Sequence, residues 1–377
     1  MTPTCITARL ATEVLNPMKR DFIGKDEIID LLGVCLVGGE NLFILGPPGT
    51  AKSALVHHLA ARLEGRTFDY LLTRFTEPNE LFGPFDIRKL REGELQTNTE
   101  GMLPEAALVF LDELLNANSA ILNSLLVALN ERLFRRGKET RPLAALLFVG
   151  ASNHLPEDDA LHALFDRFLL RVPCDNVPGE RLPDVLLAGW KLATSAPVKS
   201  TLRFDDLRSA QTALADVEMG AVRRPFAELV QRIRHAGIPV SDRRAVKLQR
   251  VLAASALLCG RKVARLSDLW VVRHIWDTEE QQEVLASLVD QAIAKEPSAE
   301  ADHPRARTTE GPDPEVLARD LEALEAPLQN SPLPEVEKSY LRDRLGILAG
   351  RCQWVKDDVK RDWLLKRVAD LWPALKA

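Results

Sequence analysis

The chain has 377 residues, of which 46% are hydrophobic and 27% charged, with a formal net charge of −5. That length exceeds one compact core and predicts two or more folding units, while the acidic balance excludes a global basic field of the kind that drives non-specific nucleic-acid binding. No apolar run approaches the roughly 20 residues that cross a bilayer.

The first 22 residues lack an apolar stretch ahead of a small-residue cleavage site, so a cytoplasmic location is expected. Residues 1–21 are read as an N-terminal segment. From 22 to 178, short apolar runs alternate with helical patterns, the rhythm of an α/β unit whose parallel sheet is covered by helices. The runs fall at 41–45, 67–72, 108–111 and 144–150. Helices are predicted over 52–63 and 119–132, where Ile121, Leu122, Leu125, Leu126 and Leu129 recur at helical spacing. Two polar interruptions, 83–100 and 133–141, each place strand-like segments around a glycine turn and predict projecting β-hairpins. From 179 to 295 a Leu/Ala/Arg-rich pattern predicts an all-helical second domain. Residues 296–314 have almost nothing to bury and are read as a flexible linker. Amphipathic helices resume over 315–377, with Trp354, Trp363 and Trp372 as anchors.

Five cysteines (Cys5, Cys35, Cys174, Cys259, Cys352) are scattered singly, without a C-x-x-C pair, and the histidines do not cluster with carboxylates at ligand spacing. No transition metal is expected.

The strongest local signal is Gly46-Pro47-Pro48-Gly49-Thr50-Ala51-Lys52-Ser53, between a predicted strand and a predicted helix. Backbone N–H groups and a helix N-terminus in that setting surround a β-phosphate, Lys52 reaches the β and γ oxygens, and Ser53 ligates Mg²⁺. The following Ala54 completes the expected lining. The usual glycine before the lysine is Ala51 here. About sixty residues on, the run 107–111 ends in Asp112 and Glu113. Such a strand can set Asp112 beside Ser53 to hold the Mg²⁺ shell, with Glu113 polarising the attacking water. The run 146–152 ends in Asn153, a neutral amide able to hydrogen-bond both γ-phosphate and water. Arg167 stands on a short helix before the last core strand, where a guanidinium can stabilise the γ-phosphate during transfer, supplied in trans by an adjacent subunit. In the second domain Ser241 is placed to cap a helix, and Arg243 just after it could swing onto the nucleotide; Arg244 competes for that role.

As a set these motifs resemble the MoxR group of AAA+ ATPases, and within it the RavA-like branch. The resemblance extends through Phe75-Thr76-Glu77-Pro78-Asn79-Glu80-Leu81-Phe82-Gly83, Gly101-Met102-Leu103-Pro104-Glu105-Ala106 and Ala120-Ile121-Leu122-Asn123-Ser124-Leu125-Leu126 to Asn130-Glu131-Arg132. It implies an αβα core with a helical lid, a hexameric ring, Mg-ATP hydrolysis, and insertions at 83–100 and 133–141 that face the pore or one ring face. It also implies chaperone-like remodelling of a protein client alongside a von Willebrand factor A domain protein. A nucleotide-gated scaffold without turnover and a DNA-acting ring motor are the alternative readings; the acid pair speaks against the first. The overall acidity speaks against the second.

Overall fold

The structure, a computed structural model, describes residues 2–196, 200–297, 299–307, 314–328, 335–353, 355 and 357–376. Its centre is a five-stranded parallel sheet of β1 (Leu42–Leu45), β2 (Thr67–Leu71), β3 (Leu108–Asp112), β4 (Leu147–Ser152) and β5 (Leu170–Pro173), in the order β2-β3-β4-β1-β5. All four residues of β1 are buried. Helices cover both faces of such a sheet, which is why its central strands read as continuous apolar runs rather than as alternation.

The covering helices are α1 (Asp26–Gly38), α2 (Lys52–Arg62), α3 (Ser119–Glu131) and α4 (Asp159–Phe165). Asn118 caps α3 by accepting from the amides of Ala120 and Ile121, and the helix turns Ile121, Leu122, Leu125 and Leu129 inward. Its far end stops at Arg132, which takes a left-handed conformation with φ 55°. The N-terminal segment packs into the hydrophobic core, where Ile6, Leu10, Val14 and Met18 are buried. Gly33 sits in mid-helix because the Leu15 side chain occupies the space its Cβ would take, 2.4 Å away.

Of the two insertions, 133–142 forms an antiparallel hairpin, Leu133–Arg136 against Glu139–Pro142. The expected hairpin at 83–100 is instead a short helix, Ile87–Arg91, closed by a single antiparallel bridge between Phe85 and Thr97. The cause is local: the Asp86 carboxylate accepts from the amides of Arg88 and Lys89 and starts a helix where a strand was expected. The two insertions are tied together. The Arg136 guanidinium lies 3.9 Å from the Phe85 ring centroid and donates to the Gly83 carbonyl at 2.7 Å, while Thr97 N donates to Glu139 at 3.1 Å.

After β5 the chain forms α5 (Leu182–Thr194) and α6 (Phe204–Thr212), then a helical lid of α7 (Gly220–His235), α8 (Asp242–Leu258), a 3₁₀ stretch (Leu266–His274) and α9 (Gln281–Ile293). Arg171 of β5 is fully buried and bolts sheet to lid, meeting Asp277 at 2.7 Å and the Trp276 carbonyl at 2.8 Å. Burial, followed by the nearby charge of Arg244, lowers its pKa to about 9, and the Asp277 carboxylate opposes the fall.

The expected flexible linker is corrected over 299–307. Ala306 is buried, the His303 ring stacks on Trp270 with centroids 4.5 Å apart, and Arg305 meets Asp26 at 3.1 Å and Asp30 at 3.2 Å. A segment poor in apolar residues is thus held by ring stacking and ion pairs. Beyond it, α10 (Pro314–Leu328), α11 (Glu335–Cys352) and α12 (Asp358–Lys376) pack around a second core that includes Leu317, Leu321, Leu345 and Leu364. Trp372 packs against that core and Trp363 lies half exposed under Arg367; Trp354 is outside the described residues. No helix among the described residues is long and apolar enough to cross a membrane.

Candidate nucleotide site

The loop between β1 and α2 hugs the carboxyl edge of the sheet. Gly46 is required there, because a Cβ would lie 2.2 Å from the Cys174 carbonyl oxygen. Its amide donates to the Ser152 carbonyl at 3.1 Å, and Thr50 Oγ1 closes the loop onto the Pro47 carbonyl at 2.9 Å. Gly49 and Ala51 are left-handed, with φ 83° and 72°. Glycine adopts that conformation freely; Ala51 does so under strain.

Lys52 is buried, and its ammonium donates to the Gly46 carbonyl at 2.6 Å, the Pro47 carbonyl at 3.0 Å and Asn153 Oδ1 at 2.7 Å. The charge therefore sits inside the loop, held by acceptors that phosphate oxygens can replace. Ser53 Oγ donates to Asp112 Oδ2 at 2.7 Å. A hydroxyl and a carboxylate oxygen converging in this way fit Mg²⁺, which takes few protein ligands and completes its shell with water and phosphate. Among the described residues no cluster of three or more His, Cys, Asp or Glu side chains could hold another metal ion.

Glu113 follows the strand in a left-handed conformation, φ 50°, and its amide donates to Asp112 Oδ1 at 3.0 Å. Asn153 Nδ2 donates to Glu113 Oε1 at 2.5 Å. The structure thereby gathers Lys52, Ser53, Asp112, Glu113 and Asn153 from three strand ends into one cluster.

It does not bring Arg167 or Arg243 there. The Arg167 carbonyl accepts from Asn41 Nδ2 at 2.8 Å at the amino edge of the sheet, and its guanidinium lies 3.5 Å from Asp166. Ser241 Oγ does cap α8, accepting from Arg244 N at 3.2 Å, yet the Arg243 guanidinium contacts Asn130 at the end of α3, on that same amino edge. Arg244 turns into the lid, where it reaches the Ile275 carbonyl at 2.5 Å and Asp277 at 3.3 Å. Along β1, the five steps from Asn41 to Gly46 span about 16 Å, so neither arginine reaches the phosphate loop of its own chain in this arrangement.

Two residues with evident roles carried no sequence signal. Cys174 supplies the carbonyl against Gly46 and donates its thiol to the Thr50 carbonyl at 3.2 Å. Asn41 looked like the first residue of an apolar strand; its burial at 1% exposure marks it as a structural polar group.

Residues 8–212 match the family model described as the MoxR domain in the MoxR-vWA-beta-propeller ternary systems, and residues 221–289 match an AAA lid domain. An uncharacterized protein of Methanocaldococcus jannaschii is 36% identical over 258 residues, 68% of this chain and 67% of its own length. The chaperone MoxR1 of Mycobacterium tuberculosis is 28% identical over 205 residues, covering 53% of this chain and 52% of its own. A crystal structure from Cytophaga hutchinsonii, named as a candidate ATPase, shares the fold with a TM-score of 0.63 at 18% identity, over 79% of this chain and 97% of that one. With a MoxR model spanning more than half of its length and an AAA lid directly after it, the chain belongs to the MoxR family of AAA+ ATPases.

Proposed function

We propose that the chain binds Mg-ATP in the loop 46–54 and hydrolyses it at contacts between subunits of a ring, coupling turnover to the remodelling of a protein partner. Lys52 neutralises the β and γ phosphate oxygens, while Ser53 and Asp112 hold Mg²⁺, which supplies charge neutralisation when bound. Glu113 accepts a proton from the attacking water, and Asn153, already bonded to both Lys52 and Glu113, senses the γ-phosphate and aligns that water.

The observation that carries the ring is the placement of Arg167 and Arg243 at the sheet edge opposite the phosphate loop. A guanidinium there serves the nucleotide of a neighbouring copy. The hexamer and a von Willebrand factor A domain co-partner are the finer parts of this reading, supported by the kinship of residues 8–212 to the MoxR domain of MoxR-vWA-beta-propeller systems. A DNA motor is less well supported, because three of the four basic residues of the hairpin have partners within the chain: Arg135 with Glu131, Arg141 with Glu139 and Arg136 with Phe85.

The test is Arg167→Ala. Turnover should be lost with ATP binding retained, and should return when that variant is mixed with Glu113→Gln, since each subunit type then supplies what the other lacks. Failure of the mixture to recover activity would remove the shared site.

A further inference from the structure

Asn41 is a buried amide whose hydrogen bonds join three separate elements. Its Nδ2 donates to the Arg167 carbonyl at 2.8 Å and, more weakly, to the Leu129 carbonyl at 3.5 Å. Its Oδ1 accepts from Arg132 Nη2 at 2.7 Å. Arg132 is itself fixed: its guanidinium lies 4.7 Å from the Phe148 ring centroid and donates to the Gly39 carbonyl at 3.3 Å. Burial lowers its pKa to about 10, so the cation persists at neutral pH. Asn41 is therefore clamped on its acceptor side and presents a donor of fixed direction to the backbone of Arg167.

That backbone belongs to the turn between α4 and β5. The Arg167 side chain is only partly anchored within its chain: Asp166 stands at 3.5 Å, and its buried Nε has no hydrogen-bond partner. The peptide that carries the guanidinium therefore contributes to its direction, together with the packing that leaves the side chain 28% exposed. Asn41 also directly precedes β1, and Gly46 directly follows it, with β1 paired on both sides. One buried strand of four residues has the phosphate loop at one end and the support of the arginine turn at the other.

We propose that Asn41, braced by Arg132, is a positioning residue for Arg167: it holds the arginine that one subunit presents to the nucleotide of the next. This rests on the shared-site reading above. It predicts a defect that belongs to the neighbour's site and not to the site on the same chain.

The experiment uses Asn41→Asp, which keeps an acceptor for Arg132 but sets a carboxylate oxygen against the Arg167 and Leu129 carbonyls. The full-length variant should unfold cooperatively and bind ATP with a KM within about twofold of wild type, while kcat falls on the order of a hundredfold, the scale of displacing an aligned group by about 1 Å. Mixed with Glu113→Gln, whose arginine turn is intact and whose own site is dead, it should recover turnover well above the sum of the two variants alone. A loss of packing alone would not be rescued this way. The Arg167→Ala and Glu113→Gln mixture is run in parallel. If that control fails to recover, the shared site itself is wrong; if the control recovers and the Asn41→Asp mixture does not, Asn41 does not act through Arg167. Should Asn41→Asp lose its cooperative unfolding, Asn41→Ser removes the donor without a buried charge and is read by the same two outcomes.

Discussion

Asn153 and Glu113 are joined side chain to side chain, the amide of one donating to Oε1 of the other at 2.5 Å. The amide oxygen of Asn153 is at the same time occupied by Lys52. In the proposed function, a phosphate entering the loop competes for Lys52, and a water entering the site competes for Glu113. Asn153 feels both events, so it is suited to report the phosphate state to the acid.

Glu113→Gln tests the acid directly. The amide oxygen of glutamine still accepts from Asn153, so the cluster keeps its shape, but it cannot take up the proton of the attacking water. Turnover should fall by about 10²–10⁴-fold, the usual contribution of a positioned base. ATP binding, read by calorimetry, should be unchanged. Undiminished turnover would assign the base to another residue.

Ala51→Gly tests the strain in the loop. Holding an L-residue at φ 72° costs about 1–2 kcal/mol, whereas glycine gives back about 0.4–1 kcal/mol through its freer unfolded chain. The net expectation is a gain of up to about 1 kcal/mol in chemical unfolding without nucleotide. A clear loss of stability would mean that the Ala51 methyl, which packs against the core, matters more than its backbone conformation.

The run 46–53 and the acid pair stand out in the sequence because each is contiguous, and the structure brings Lys52 to Asn153 and Ser53 to Asp112. The sheet was legible for a related reason: both faces are covered, so its strands are unbroken apolar runs. The role of Asn41 was not legible, since its partners Leu129, Arg132 and Arg167 are some ninety residues or more away. The helix at 87–91 was misread as a strand because a glycine turn outweighed the Asp86 cap. The docking of 299–307 was hidden because its partners, Trp270, Asp26 and Asp30, come from distant segments. Composition counts apolar side chains and cannot see such pairings.

His303 makes that docking sensitive to acid. Its Nδ1 accepts from Arg305 N at 3.1 Å, which requires that nitrogen to be unprotonated. Burial, with the positive charges of Lys19, Arg305 and Arg261 outweighing Asp268, lowers its pKa from 6.5 to about 3; Asp30, Glu300 and Asp302 line the adjoining cleft. A base whose folded pKa is depressed takes up a proton more readily when unfolded, so stability falls as the pH drops from 6.5 toward 3. The loss should be about 2 kcal/mol between pH 7 and pH 5. His303→Asn retains an acceptor near Nδ1 and removes the titration. Its unfolding free energy should therefore be lower at pH 7 but fall less between the two pH values, and an equal fall would exonerate His303.

The apolar stripe of α5 yields the last prediction. Leu182, Leu186, Leu187 and Trp190 are 50%, 66%, 71% and 74% exposed, and no residue of the helix is buried. Four large side chains on one short helix form a patch that calls for a partner. The helix follows a segment bound to the nucleotide edge: Cys174 donates to the Thr50 carbonyl, the Asp175 carbonyl accepts from Lys25, and Val177 packs on Gly24. Arg167 and Arg243 both lie at the opposite edge, so a second copy must approach this one if Arg167 is to reach the nucleotide. If the proposed ring forms, a neighbouring subunit would at once cover the exposed stripe and bring its Arg167 to the nucleotide. Leu186→Glu should leave the monomer folded, since it touches no core, but shift the mass distribution in ATP toward smaller species and lower turnover in proportion. Full-size assemblies with normal turnover would instead assign the stripe to a different protein, and the subunit contact would have to form without α5.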